Sequence, residues 1–149
     1  MSDFRKITDK FWVSPQLTLS QLSDAKEMGV TMIVNNRPDG EEPDAPQGDD
    51  VAAAAAELGL SYLAIPIGHG GFSHPQLEML NNAMQDAGQE GHILAYCRSG
   101  TRSTFLWSLT QAKNGMDRSE ISRLAGNAGY DIAPIAPMVD ALCGQNSDM

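Results

Sequence analysis

Seven residues near the middle of the chain, Cys97-Arg98-Ser99-Gly100-Thr101-Arg102-Ser103, combine a nucleophile, two guanidinium groups, three hydroxyls and a glycine. They follow an apolar run, Ile93-Leu94-Ala95-Tyr96, and precede a segment of helical period, Thr104 to Lys113. Buried strand, short polar loop and helix, in that order, aim backbone N–H groups and the positive end of the helix at the space above the cysteine. A thiol that titrates at about 8.5 in water is brought to roughly 3.5–7.5 by such surroundings. Arg102 adds a cation and a planar fork of donors for an oxyanion. The expected chemistry is a thiolate nucleophile, Cys97, in a loop that binds anions.

Each neighbouring residue has an expected part. Arg98, Ser99, Gly100 and Thr101 meet the substrate through the loop backbone; the Arg98 side chain joins them or faces water. Ser103 either donates to the thiolate or caps the helix. Arg37 and Asp39 are expected to line the pocket, the alternative being a salt-bridged turn that holds a long loop. His69, among Gly68, Gly70 and Gly71, is either a pocket residue or a solvated one. His74, His92 and Cys143 show no ligand spacing, so no metal is expected, and no cofactor is implied.

Two known families carry loops of this kind. Protein tyrosine and dual-specificity phosphatases have a histidine, then cysteine, five residues, arginine, and serine or threonine. Rhodanese sulfurtransferases have cysteine, four residues and arginine, often as CRSG-x-R after a tyrosine. Here Cys97 follows Tyr96, and Arg102 comes after four intervening residues, so the loop resembles the rhodanese type. A cradle one residue shorter suits a single sulfur, or the end of a thiosulfate, better than three phosphoryl oxygens. Outside the loop the rhodanese signatures are missing: there is no Asp-Val-Arg strand end and no Gly-His-Ile-x-Gly-Ala segment.

From about Phe4 to Tyr130 the chain is similar instead to a bacterial family described as phosphatase-like. The matching pieces are Val13-Ser14-Pro15-Gln16-Leu17, Ile33-Val34-Asn35-Asn36-Arg37-Pro38-Asp39-Gly40-Glu41, Tyr62-Leu63-Ala64-Ile65-Pro66-Ile67 and the CRSGTRS loop. Members of that family occur alone, fused to a metallo-β-lactamase-fold hydrolase, or beside sulfide-oxidising enzymes. The resemblance implies a tyrosine- or dual-specificity-phosphatase-like fold and makes sulfide-oxidising enzymes candidate partners.

A general acid that protonates the leaving alcohol contributes about 10²–10⁴-fold to such hydrolysis. Where dual-specificity phosphatases keep an aspartate, the segment Ile67-Gly68-His69-Gly70-Gly71-Phe72 has no carboxylate. Asp39 replaces it only if its loop folds over the site. Sulfane-sulfur transfer needs no such acid. The expected activity is therefore a sulfurtransferase that takes sulfur from thiosulfate or a persulfide through a Cys97 persulfide. One alternative is a phosphatase working through a phosphocysteine, and another is a non-catalytic module that binds an anion or a partner.

The rest of the sequence must position that loop. A chain of 149 residues with 42% hydrophobic content can bury one core without disulfides, and residues 1–149 read as one domain. Two cysteines make no disulfide framework, which suggests a reducing cytoplasm. No apolar run reaches the ~18–20 residues of a membrane span, and the N-terminus lacks a signal pattern. A formal charge of −9 argues against nucleic acid as a partner and leaves a small anion held by local arginines.

Strands are expected at Phe4–Ile7, Phe11–Val13, Val30–Val34, Ser61–Ile67 and His92–Tyr96, the first two as a pair. Thr18 is expected to cap a helix with Leu19, Leu22 and Ala25 on its buried face, stopped near Gly29. Further helices are expected over Asp50–Leu58, after Ser73 or His74, over Thr104–Lys113, from Asp117, and around Pro134–Leu142. This alternation implies an α/β fold, a mostly parallel sheet flanked by helices. Ligands in such folds bind beyond the carboxyl ends of the strands, which would gather Arg37, Asp39, His69 and Cys97.

Overall fold

A computed structural model of the chain describes residues 3–68, 70–88 and 90–147. Its strands β1 (Arg5–Thr8), β2 (Phe11–Ser14), β3 (Met32–Asn35), β4 (Ser61–Ala64) and β5 (Ile93–Tyr96) form one sheet in the order β1-β2-β5-β3-β4. The first two pair antiparallel and all other pairings are parallel. Helices α1 (Gln21–Met28) and α2 (Gly48–Glu57) pack on one face. The other face carries α3 (His74–Ala87), α4 (Thr101–Lys113), α5 (Arg118–Asn127) and α6 (Ala136–Ser147), the last after a 3-10 turn at Ala133–Ile135. The structure thus has the expected mostly parallel sheet between helical layers.

Strand β5 lies at the centre, and all four of its residues are buried. Leu94 and Tyr96 join the core made with Leu22, Ala25, Val51 and Ala55, while Ile93 and Ala95 join Leu106, Trp107 and Leu109. Burial on both faces explains why this strand reads as an uninterrupted apolar run. Burying a side chain such as Leu94 contributes about 1.5–3 kcal/mol. The strand that delivers Cys97 is therefore firmly held.

Several boundaries differ from expectation for local reasons. Thr18 does secure the entry to α1: its N–H donates to Gln21 Oε1 at 2.8 Å, and the Gln21 N–H donates to Thr18 Oγ1 at 3.3 Å. The helix proper starts only at Gln21, so Leu19 falls in the preceding turn and is 42% exposed instead of sharing the buried face. Helix α2 starts at Gly48, earlier than Asp50, because Gln47 and Asp50 form a reciprocal capping box. Strand β4 stops short of Ile67, since Pro66 brings no N–H to the ladder. Helix α4 begins at Thr101, which places Arg102 and Ser103 in its first turn. Cys143 packs partly against the core, and its thiol donates to the Met116 carbonyl at 3.3 Å.

Candidate active site

Neighbouring strands β2, β5 and β3 send their exits to one rim of the sheet. At the exit of β5, Cys97 is fully buried, and the Gly100 N–H donates to its Sγ at 3.1 Å. Gly100 caps α4 at φ +89°, a conformation that favours glycine. Any Cβ there would also collide with the Tyr130 hydroxyl. Two successive loop carbonyls are held outward. The Arg98 carbonyl accepts from the Gln16 N–H at 3.2 Å, and the Ser99 carbonyl accepts from the Tyr130 hydroxyl at 3.0 Å. In a trans peptide, C=O and the following N–H point in opposite directions, so the Ser99 and Gly100 N–H groups turn inward.

Arg102 is fixed by an acidic partner from the loop after β3. Its Nη1 donates to Glu41 Oε2 at 2.9 Å and to the Ile67 carbonyl at 2.7 Å, while Nη2 donates to Glu41 Oε1 at 2.7 Å. Glu41 therefore takes the outer end of the guanidinium fork. Among the described residues no oxygen accepts from its Nε–H, and Cys97 lies beside the guanidinium. The Glu41 hydrogen bond is the main cause that holds the Arg102 guanidinium above its ordinary range, and Cys97 adds to it.

Arg37 completes the bridge. It donates from Nε to Glu41 at 2.8 Å, from Nη2 to Glu42 at 3.1 Å and from Nη1 to Gln16 Oε1 at 2.9 Å. Burial disfavours its charge, but the two glutamates outweigh that and raise it. Hydrogen bonds from Arg102 and then Arg37 bring the Glu41 carboxyl down from 4.5 to about 2, against the opposing effect of burial. Glu41 is thus ionised at neutral pH and cannot donate a proton there.

Arg37, Glu41, Glu42, Gly68, Arg98 and Arg102 line a cleft of about 470 Å³. The expected gathering of Arg37 with the Cys97 loop and with the segment after Ile67 is present. Asp39 takes another place: its Oδ1 accepts from the Gly48 N–H at 2.8 Å, at the start of α2, and it lines a separate space with Tyr62 and Pro66. Its loop reaches the Arg102 cleft through Glu41 and Glu42, while the Asp39 carboxylate is turned away to the Gly48 N–H and is not among the residues that line the cleft. His69 lies outside the described residues. Ser103 is buried at the start of α4, and its Oγ has no hydrogen-bond partner among the described residues. The helix cap is Gly100, not Ser103. The Ser99 and Thr101 hydroxyls bond each other at 2.9 Å.

The Asn-Asn-Arg stretch is a backbone device. Asn35 Oδ1 accepts from the Arg37 N–H, and Asn36 Nδ2 donates to the Ile65 carbonyl, both at 2.9 Å. These bonds satisfy peptide groups where the ladder ends and turn the chain toward Glu41. The sequence reading did not single out Glu41 and Glu42 as partners of the arginines, nor Gln16 and Tyr130 as partners of the loop. Arginines near those acids were the available signal for the glutamates. Nothing local marks Tyr130.

Residues 3–114 match the model of a family described as the phosphatase-like domain of beta-lactamase hydrolase-like protein. A beta-lactamase hydrolase-like protein from Xylella fastidiosa is 32% identical over 127 residues, or 85% of this chain, and the chain spans 29% of that relative's length. A crystal structure of a candidate phosphatase from Neisseria meningitidis superposes with a TM-score of 0.82 at 28% identity, covering 95% of this chain and 99% of that one. P. aeruginosa TpbA, crystallised with pTyr, shares the fold with a TM-score of 0.66 at 14% identity, covering 99% of this chain and 91% of that one. These likenesses overturn the order of the expected activities. The sulfurtransferase reading finds no support among them, and the phosphatase alternative fits them better. Among the described residues no helix is long and apolar enough to cross a membrane, and no group of three His, Cys, Asp or Glu is placed to hold a metal.

Proposed function

We propose that this chain, which belongs to the family of phosphatase-like domains of beta-lactamase hydrolase-like proteins, is a cysteine-dependent phosphatase acting on a small anionic phosphoester. The observation that carries the reading is a Cys97 sulfur with the Gly100 N–H on it, beside an Arg102 whose outer edge is fixed by Glu41. The sulfur attacks phosphorus, the P–O ester bond breaks, and the leaving oxygen takes its proton from water. Water then attacks the phosphocysteine, releasing phosphate and restoring the sulfur.

Inward N–H groups of the loop and the Arg102 guanidinium stabilise the phosphoryl oxygens as charge develops. Ser99, Gly100 and Thr101 bind through the loop, with Arg98 at the rim of the cleft. Ser103 Oγ is the donor assigned to the departing sulfur. Because Glu41 is ionised and Asp39 is engaged elsewhere, the preferred substrates are esters whose leaving group departs without help, aryl phosphates above all.

Hydrolysis of p-nitrophenyl phosphate and of a phosphotyrosine peptide, compared with phosphoserine, tests this. Turnover of the aryl esters that disappears in Cys97→Ser is the expected result. Sulfur transfer is the second reading, and the four residues between Cys97 and Arg102 favour it. Intact mass after incubation with thiosulfate or glutathione persulfide separates the two. A gain of one sulfur on Cys97, with no phosphate released from any ester, would replace the first reading by the second.

A further inference from the structure

We propose that Tyr130 is a positioning residue for the Cys97 loop: by donating to the Ser99 carbonyl it orients the Ser99–Gly100 peptide and so keeps the Gly100 N–H on the sulfur. The inference rests on the reading of Cys97 as the nucleophile. The two hydrogen bonds, 3.0 Å from the Tyr130 hydroxyl to the Ser99 oxygen and 3.1 Å from the Gly100 nitrogen to Cys97 Sγ, belong to opposite edges of one peptide plane. A trans peptide is rigid, so whatever holds one edge holds the other. Turning the plane over would break both bonds and present a carbonyl oxygen to the sulfur and to any incoming anion.

Gly100, at φ +89°, is the residue for which such a turn costs least, because glycine populates both signs of φ. The loop's own sequence therefore leaves this plane unlocked. The plane before it is clamped by backbone, the Gln16 N–H on the Arg98 carbonyl at 3.2 Å, which no side-chain exchange removes. For the Ser99–Gly100 plane the clamp is a side chain from a distant element.

Tyr130 is well held for the task. Its N–H donates to the Ala125 carbonyl at 3.0 Å, just past the end of α5, and the Arg5 guanidinium lies 5.1 Å from its ring centre. Burial raises its phenol above the ordinary range, so the hydroxyl keeps its proton at neutral pH.

The test is Tyr130→Phe, which keeps the ring and removes only the donor. In the ¹⁵N-labelled whole chain, amide exchange at Gly100 is expected to quicken by about 3- to 10-fold, the reach of one hydrogen bond, while Leu94 and Ala112 stay as in the native protein. The kcat/KM for p-nitrophenyl phosphate is expected to fall by a similar factor, with Arg102 and Glu41 undisturbed. Unchanged exchange at Gly100 overturns the proposal, as does equal acceleration at Leu94 and Ala112, which would mark a general loss of stability. Faster exchange with native turnover also overturns it. A native protein that hydrolyses no phosphoester would sink the proposed function but not this one, which the exchange comparison decides alone.

Discussion

Exchanging Glu41 for Gln keeps the side chain's shape and removes the charge that joins two arginines. Arg102 gives this carboxylate two hydrogen bonds and Arg37 gives it one. Together they place its pKa at about 2, where 4.5 is ordinary. A gap of about 2.5 pH units corresponds to about 3 kcal/mol at 1.36 kcal/mol per unit. Glu41 and Arg102 are 27% and 25% exposed, and screening by water reduces the figure to about 1–2 kcal/mol. Because the folded-state value lies below the unfolded one, this stability is complete above about pH 4.5 and is lost as the pH falls toward 2. Urea unfolding followed by circular dichroism should find Glu41→Gln less stable by about 1–2 kcal/mol at pH 7, or about 3–6 °C in Tm. The difference between the two proteins should shrink steadily below pH 4.5. Stability curves that run parallel from pH 7 to pH 3 would refute the reasoning, because the carboxylate would then carry no folding-linked proton.

Arg102→Lys keeps a positive charge but loses the fork that Glu41 and an oxyanion share; kcat/KM should fall by about 10²–10³ with the fold intact, and near-native turnover would make Arg102 structural. Ser103→Ala should leave stability within about 0.5 kcal/mol, since its hydroxyl has no hydrogen-bond partner among the described residues, yet slow turnover and let phosphoenzyme accumulate in a mass spectrum. A stability loss near 1 kcal/mol with normal turnover would assign that serine to the helix instead. Gly100→Ala meets both a positive φ and the Tyr130 hydroxyl, so urea unfolding should show a loss of about 1–3 kcal/mol and the assay a loss of turnover. An unstrained, active Gly100→Ala protein would show that the loop is not built as described.

Much of this was legible in consecutive residues. An apolar run, a glycine loop and a helical period placed Cys97 between a buried strand and a helix start, because that arrangement is local in sequence. Strand and helix alternation implied the parallel sheet, and capping chemistry marked Thr18, Ser73 and Asp117 near their helix starts. The partners of the site residues were not legible. Glu41 meets Arg102 across 61 positions only because β3 lies beside β5, and Tyr130 reaches Ser99 across 31 because α5 returns the chain to that rim. Asp39, Glu41 and Glu42 are equivalent carboxylates to a reader of sequence. The Gly48 N–H takes the first and the two arginines take the others, a division set by how one loop turns at the edge of the sheet. Residue types determine which chemistry is available to a chain. Which groups meet depends on strand order and peptide orientation, since hydrogen bonds act over about 3 Å and only the folded backbone brings distant residues that close.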